Sequence, residues 1–143
     1  MMPDVDWTDE VPPEVRAALE PLLDHYGKLW PMWMRELRIQ YFPDRPQEMS
    51  INTNYKYRCA TLIPTGIWLT LGQRDREHAV LHEMAHTFWS PVDEVIENLL
   101  PGVLDAESPH GKFAKGMFGQ NLEAACQDLA LTLYRNFGPA KVV

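Results

Sequence analysis

The chain has 143 residues, 45% of them hydrophobic and 23% charged. That is one domain (1–143) with enough apolar residues to bury a core, and it excludes a disordered chain. A net charge of −7 repels phosphates, so nucleic acid is a poor partner, and no apolar run is long enough to span a membrane.

Residues 1–11 are expected to form a loose arm. Their start, Met1-Met2-Pro3-Asp4-Val5-Asp6, is acidic and lacks the basic head and apolar middle of a secretion signal. Cys59 and Cys126 fall on apolar faces and read as buried free thiols. Both features suit a reducing, cytoplasmic location.

Pro12-Pro13-Glu14 opens a predicted helix that runs to about Trp30, because proline and an acid suit a first turn. Val15, Leu19, Leu22, Leu23 and Tyr26 form its inner stripe, and His25 lies off it. Leu37, Ile39 and Tyr41 alternate with Arg38 and Gln40, which predicts a strand. Met49 to Ile63 alternates over a longer run. Met49, Ile51, Tyr55, Tyr57, Cys59 and Ile63 take one face, in a sheet with one wet side and a bulge or bend along the run. After the turn at Pro64-Thr65-Gly66, Ile67 to Leu71 reads as a short strand at the sheet edge, with Trp68 and Thr70 facing a cleft or solvent. The alternative for Trp68 is a packing role.

Asp75 is the expected N-cap of the next helix, and Glu77 suits its first turn. This helix carries Ala79-Val80-Leu81-His82-Glu83-Met84-Ala85-His86-Thr87-Phe88. Residues four apart share a helix face, so His82 and His86 aim two imidazoles at one point. That spacing serves a tetrahedral zinc ion. Glu83 projects beside them, where it can take a proton from a metal-bound water. The residues around the pair are apolar, so the helix is largely buried. Two histidines and a glutamate there are costly unless something satisfies them. His78 lies one turn earlier on the same face. Three turns of a straight helix wrap a tetrahedral ion poorly, so His78 is expected to line the cleft instead.

Ser90-Pro91-Val92-Asp93 reads as the start of a separate helix ending near Leu100. Asp93 is read as capping that helix rather than ligating. Ser108-Pro109 opens another that stops at Gly116 or Gly119, and Asn121 caps a final helix through Phe137 before Gly138-Pro139. The final helix has an apolar stripe of Leu122, Ala125, Cys126, Leu129, Ala130 and Leu133, with Glu123 beside it.

The His-Glu-x-x-His helix resembles the active helix of zincin metallopeptidases. The likeness covers that helix, and more loosely the strands before it and the helix after it. It implies an α+β, zincin-like fold: an N-terminal helix, a small mostly antiparallel sheet, the active helix and a helical C-terminal part. It also implies one zinc ion and hydrolysis of peptide bonds in a protein or peptide substrate, most simply as an endopeptidase.

A catalytic zinc takes three protein ligands and keeps one position open. Two residues compete for the third place. Glu123-Ala124-Ala125-Cys126-Gln127 is similar to the glutamate helix of gluzincins, including the ImmA/IrrE type, whose ImmA-type members act on repressor proteins, and phage relatives. Ser108-Pro109-His110-Gly111-Lys112-Phe113 resembles the segment that carries the third histidine in SprT and Spartan-like proteases, although the aromatic comes one residue early. Those proteases work on DNA, which the acidic composition disfavours. Glu123 is placed ahead of His110. His110 and Tyr134 are further candidates to steady an oxyanion. A rival from another class is a zinc-stabilised binding or regulatory domain with little turnover. An open coordination position separates an enzyme from that rival.

Overall fold

A computed structural model describes residues 2–141. Strand β1 (Asp4–Trp7) is followed by helix α1 (Pro13–Tyr26), a 3-10 turn at Gly27–Leu29, and strand β2 (Glu36–Ile39). Then come β3 (Met49–Asn54), β4 (Cys59–Pro64), the short helix α2 (Gly66–Thr70) and two long helices, α3 (Gln73–Val103) and α4 (Pro109–Phe137). The fold is α+β, with one four-stranded sheet in the order β1-β2-β4-β3.

The sheet is mixed rather than mostly antiparallel. The β1–β2 and β2–β4 pairings are parallel, and only β3–β4 is antiparallel. The expected loose arm supplies the first parallel partner; of that arm, Met1 lies outside the described residues. Asp4-Val5-Asp6-Trp7 alternates, so Val5 and Trp7 pack on the core while Asp6 meets Arg38 across the pair at 3.3 Å. Its partner strand is some thirty residues away in the chain, which local reading does not supply.

The long alternating run 49–63 is a hairpin, not one bent strand. Its turn places Arg58 at φ 56, a left-handed conformation. Ile67–Leu71 is not an edge strand either. Thr65 caps α2 by accepting a hydrogen bond from the Trp68 amide, and the Arg76 guanidinium bonds the carbonyls of Trp68 and Leu69 at its other end. Trp68 is fully buried, so it packs and does not face the cleft; Thr70 is exposed. The edge strand beside α3 is β3.

Helix α3 begins after an N-cap at Gly72, not Asp75, and runs unbroken through the Ser90-Pro91 pair expected to start a new helix. A proline within a helix removes one amide and strands the carbonyl four residues back. Here that carbonyl belongs to Thr87, and the Trp33 indole Nε1 donates to it at 3.0 Å. Ser90 does not cap; its hydroxyl meets Thr53 Oγ1 at 2.7 Å and ties α3 to β3. Helix α4 starts at the Ser108 cap as expected, but it also runs unbroken, past Gly116, Gly119 and Asn121, to a Gly138 C-cap at φ 69. Gly111 answers to close approach: a Cβ there would stand 2.0 Å from the Asp105 carbonyl oxygen.

The core lies between α1, the sheet and α3. The whole predicted α1 stripe is buried, together with Leu37, Ile39, Leu62, Trp68, Val80, Leu81 and Met84. Glu77 is 1% exposed within it. One of its oxygens, Oε1, accepts from Tyr26 Oη at 3.0 Å and from the Ala140 amide. That carboxylate joins α1, α3 and the residues after α4. Among the described residues, no helix is long and apolar enough to cross a membrane.

Candidate metal centre

His82 and His86 sit on adjacent turns of α3, both half-buried. Apolar residues flank them: Val80, Leu81, Met84 and Ala85 are all buried and fix the helix's rotation. With that rotation set, the imidazoles point toward α4, which packs along α3.

Glu123 comes from α4 to meet them. Its Oε2 lies 3.1 Å from His82 Nε2 and its Oε1 lies 3.1 Å from His86 Nε2, while the two Nε2 atoms are 3.3 Å apart. These three residues form the one group of metal-binding donors found among the described residues. Ligands about 2.0–2.1 Å from a tetrahedral zinc stand roughly 3.3 Å from each other. The observed triangle matches that spacing within a few tenths of an ångström. Two imidazole nitrogens and a carboxylate converging on one point also call for a cation between them. The donor set fits a divalent metal ion.

On its other side, His82 Nδ1 lies 3.1 Å from Gln127 Oε1. The ring is therefore held from both nitrogens by residues one turn apart on α4. Burial holds the His86 imidazole below its usual pKa, against an opposing pull from Glu123. The neutral ring that a metal requires is thereby favoured.

Glu83 does not join the donor group. It lines the cavities on both sides of it. Burial, reinforced by the Glu123 charge, pushes its carboxyl up to about 8. Burial also pushes the thiol of Cys126, a buried residue of α4, up to about 12, with Glu123 and Glu83 adding to the effect. Both cysteines are free, Cys126 buried and Cys59 partly so.

His110 lies elsewhere. It is exposed in the first turn of α4, about 20 Å along the axis from Glu123 at 1.5 Å per residue. It neither joins the donors nor lines the cavities beside them. Tyr134 stacks edge-on against His78, ring centroids 4.5 Å apart, and does not line those cavities either. His78 does line one of them.

Asp93 does not cap a helix start, because α3 runs through it; it lines the cavity that holds His82, Glu83, His86 and Glu123. The spacing was visible: positions 82, 86 and 93 share a helix face once the helix continues. The opposite wall of that cavity is β3, through Ser50, Ile51 and Thr53. No protein family, curated protein or solved structure matches this chain.

Proposed function

We propose that the protein is a zinc-dependent metallopeptidase of the zincin type, acting as an endopeptidase, with His82, His86 and Glu123 as metal ligands. The observation that carries this reading is the 3.1–3.3 Å triangle of donors with Glu83 beside it in a cavity walled by a free strand edge.

When bound, a zinc ion supplies Lewis acidity toward a scissile carbonyl and makes water acidic enough to deprotonate near neutral pH. Glu83 is placed to accept that proton and to return it to the departing amine. Gln127 keeps the His82 ring oriented so that Nε2 faces the donor point. The outer edge of β3 offers unpaired N–H and C=O groups to an extended substrate backbone. The role expected of Ile67–Leu71 thus passes to β3.

The test compares zinc-loaded wild type with Glu83→Gln on a denatured protein substrate, with cleavage followed by mass spectrometry. Cleavage by the wild type and loss of at least a hundredfold in the variant, with zinc content equal, supports the mechanism. Equal cleavage by both, or none by either, overturns it.

A further inference from the structure

Three cavities run together along the outer edge of β3. The first and second share His82 and Glu83; the second and third share Thr53, Ser90 and Asp93. They make one trough between β3 and α3, with the donor triangle midway along it.

Apart from the histidines, every ionisable group with an ordinary charge at neutral pH on its walls is an acid. Glu48 and Asp75 stand at one end, and Asp93, Glu94 and Glu97 at the other. Among the described residues, no lysine or arginine lines any of the three cavities. Elsewhere some acids are paired: Asp6 and Glu36 with Arg38, Glu20 with Arg16, Glu107 with Lys112. None of the five trough carboxylates has an ion-pair partner among the described residues. Lys115 lines a neighbouring cavity with Asp93 and Glu97 but forms an ion pair with neither.

A second observation is independent of charge. Ser50 Oγ and His78 Nε2, on residues that line the trough, are buried without a hydrogen-bond partner among the described residues. A small side-chain rotation would turn either atom to an occupant that brings donors and acceptors. An extended peptide backbone brings both.

We propose that the trough selects basic peptides, with lysine or arginine three to five residues from the scissile bond on the side facing Asp93. The position relative to the bond rests on the metallopeptidase reading. Along α3, Asp93 lies about 10 Å and Glu97 about 16 Å beyond His86. An extended chain covers those distances in about three and five residues. A single exposed ion pair contributes little. Several acids of one sign along a walled trough act together, and about a tenfold preference is expected.

The test uses zinc-loaded Glu83→Gln protein and fluorescein-labelled dodecapeptides with lysine or glutamine at alternate positions, read by anisotropy at physiological salt. The lysine peptide is expected to bind about tenfold more tightly. That preference should vanish in Asp93→Asn/Glu94→Gln/Glu97→Gln. It should persist in Glu10→Gln/Glu14→Gln/Asp24→Asn, which removes the same charge beside and on α1. Equal binding of the two peptides, or equal loss in both triple variants, overturns the proposal. If the preference holds while zinc-loaded wild type cleaves neither peptide, the peptidase reading fails and the basic-peptide assignment stands. If wild type cleaves, mapped cuts without lysine three to five residues away overturn the stated position.

Discussion

Gln127 Oε1 lies 3.1 Å from His82 Nδ1. The amide oxygen accepts, so Nδ1 carries the proton and the Nε2 lone pair is left for a metal. Partners of this kind tune metal affinity from one bond away. Gln127→Ala should weaken zinc binding by about 10–100-fold, measured by competition with a chromophoric chelator. Gln127→Glu, which keeps an acceptor in place, should bind close to wild type. Unchanged affinity in Gln127→Ala would show that the ring is oriented by something else.

The donor triangle predicts a division of labour among four residues. Glu123→Ala should lose stoichiometric zinc, as should His82→Ala. Glu83→Gln should retain it, because Glu83 stands outside the donor group. His110→Ala should leave zinc content unchanged, given its place at the far end of α4. Elemental analysis of the purified variants separates these outcomes. Zinc loss in His110→Ala would overturn the ligand assignment.

A metal that binds the folded state alone stabilises it by mass action. At a hundredfold excess of free zinc over the dissociation constant, the gain is about 2.7 kcal/mol. For a chain of this size that corresponds to a melting point higher by roughly 5–10 °C. Differential scanning calorimetry with zinc and with chelator gives the comparison. The shift should be absent in His82→Ala.

Trp33→Phe should cost about 1–3 kcal/mol in urea unfolding, because it leaves the Thr87 carbonyl, stranded by Pro91, without a donor. Pro91→Ala restores an amide at that point. The double variant Trp33→Phe/Pro91→Ala should therefore recover much of the loss. Additive effects would refute this account of how α3 stays continuous.

Burial, then the hydrogen bond to Glu77, raises the pKa of the Tyr26 hydroxyl above its ordinary value near 10. The folded protein then holds this proton more tightly than the unfolded chain does. The associated stability is fully present below pH 10 and declines as pH rises beyond it. Tyr26→Phe lacks that proton. Its stability deficit relative to wild type should shrink between pH 9 and pH 11 in urea titrations. A constant deficit would contradict the linkage.

Much of the fold was legible where local pattern and tertiary packing agree. The α1 stripe, the strand at Leu37–Ile39, the Ser108 cap and the Gly138 stop all follow from periodicity or capping chemistry. The errors share one cause: a local signal outweighed by a distant partner. Pro91 reads as a helix start until Trp33, far back in the chain, takes up the stranded carbonyl. Asp4–Trp7 reads as a loose arm until Leu37 and Arg38 stand beside it. Ile67–Leu71 reads as a strand until Thr65 and Arg76 cap its two ends. At the site, the spacing of His82 and His86 shows their common aim, but the choice between Glu123 and His110 depends on how α4 lies along α3. The acidic wall at Asp93 was hidden by the same proline.

His82 and Glu123 are 41 positions apart in the chain and sit on different helices. A cation gripped by both acts as a clasp between α3 and α4, closing the loop that contains the far halves of both. Release of the ion would loosen that end of the helical pair, while the His78–Tyr134 contact holds the other. Amide hydrogen exchange across residues 104–122 should slow on loading and quicken on chelation, reporting from a region that touches no donor atom.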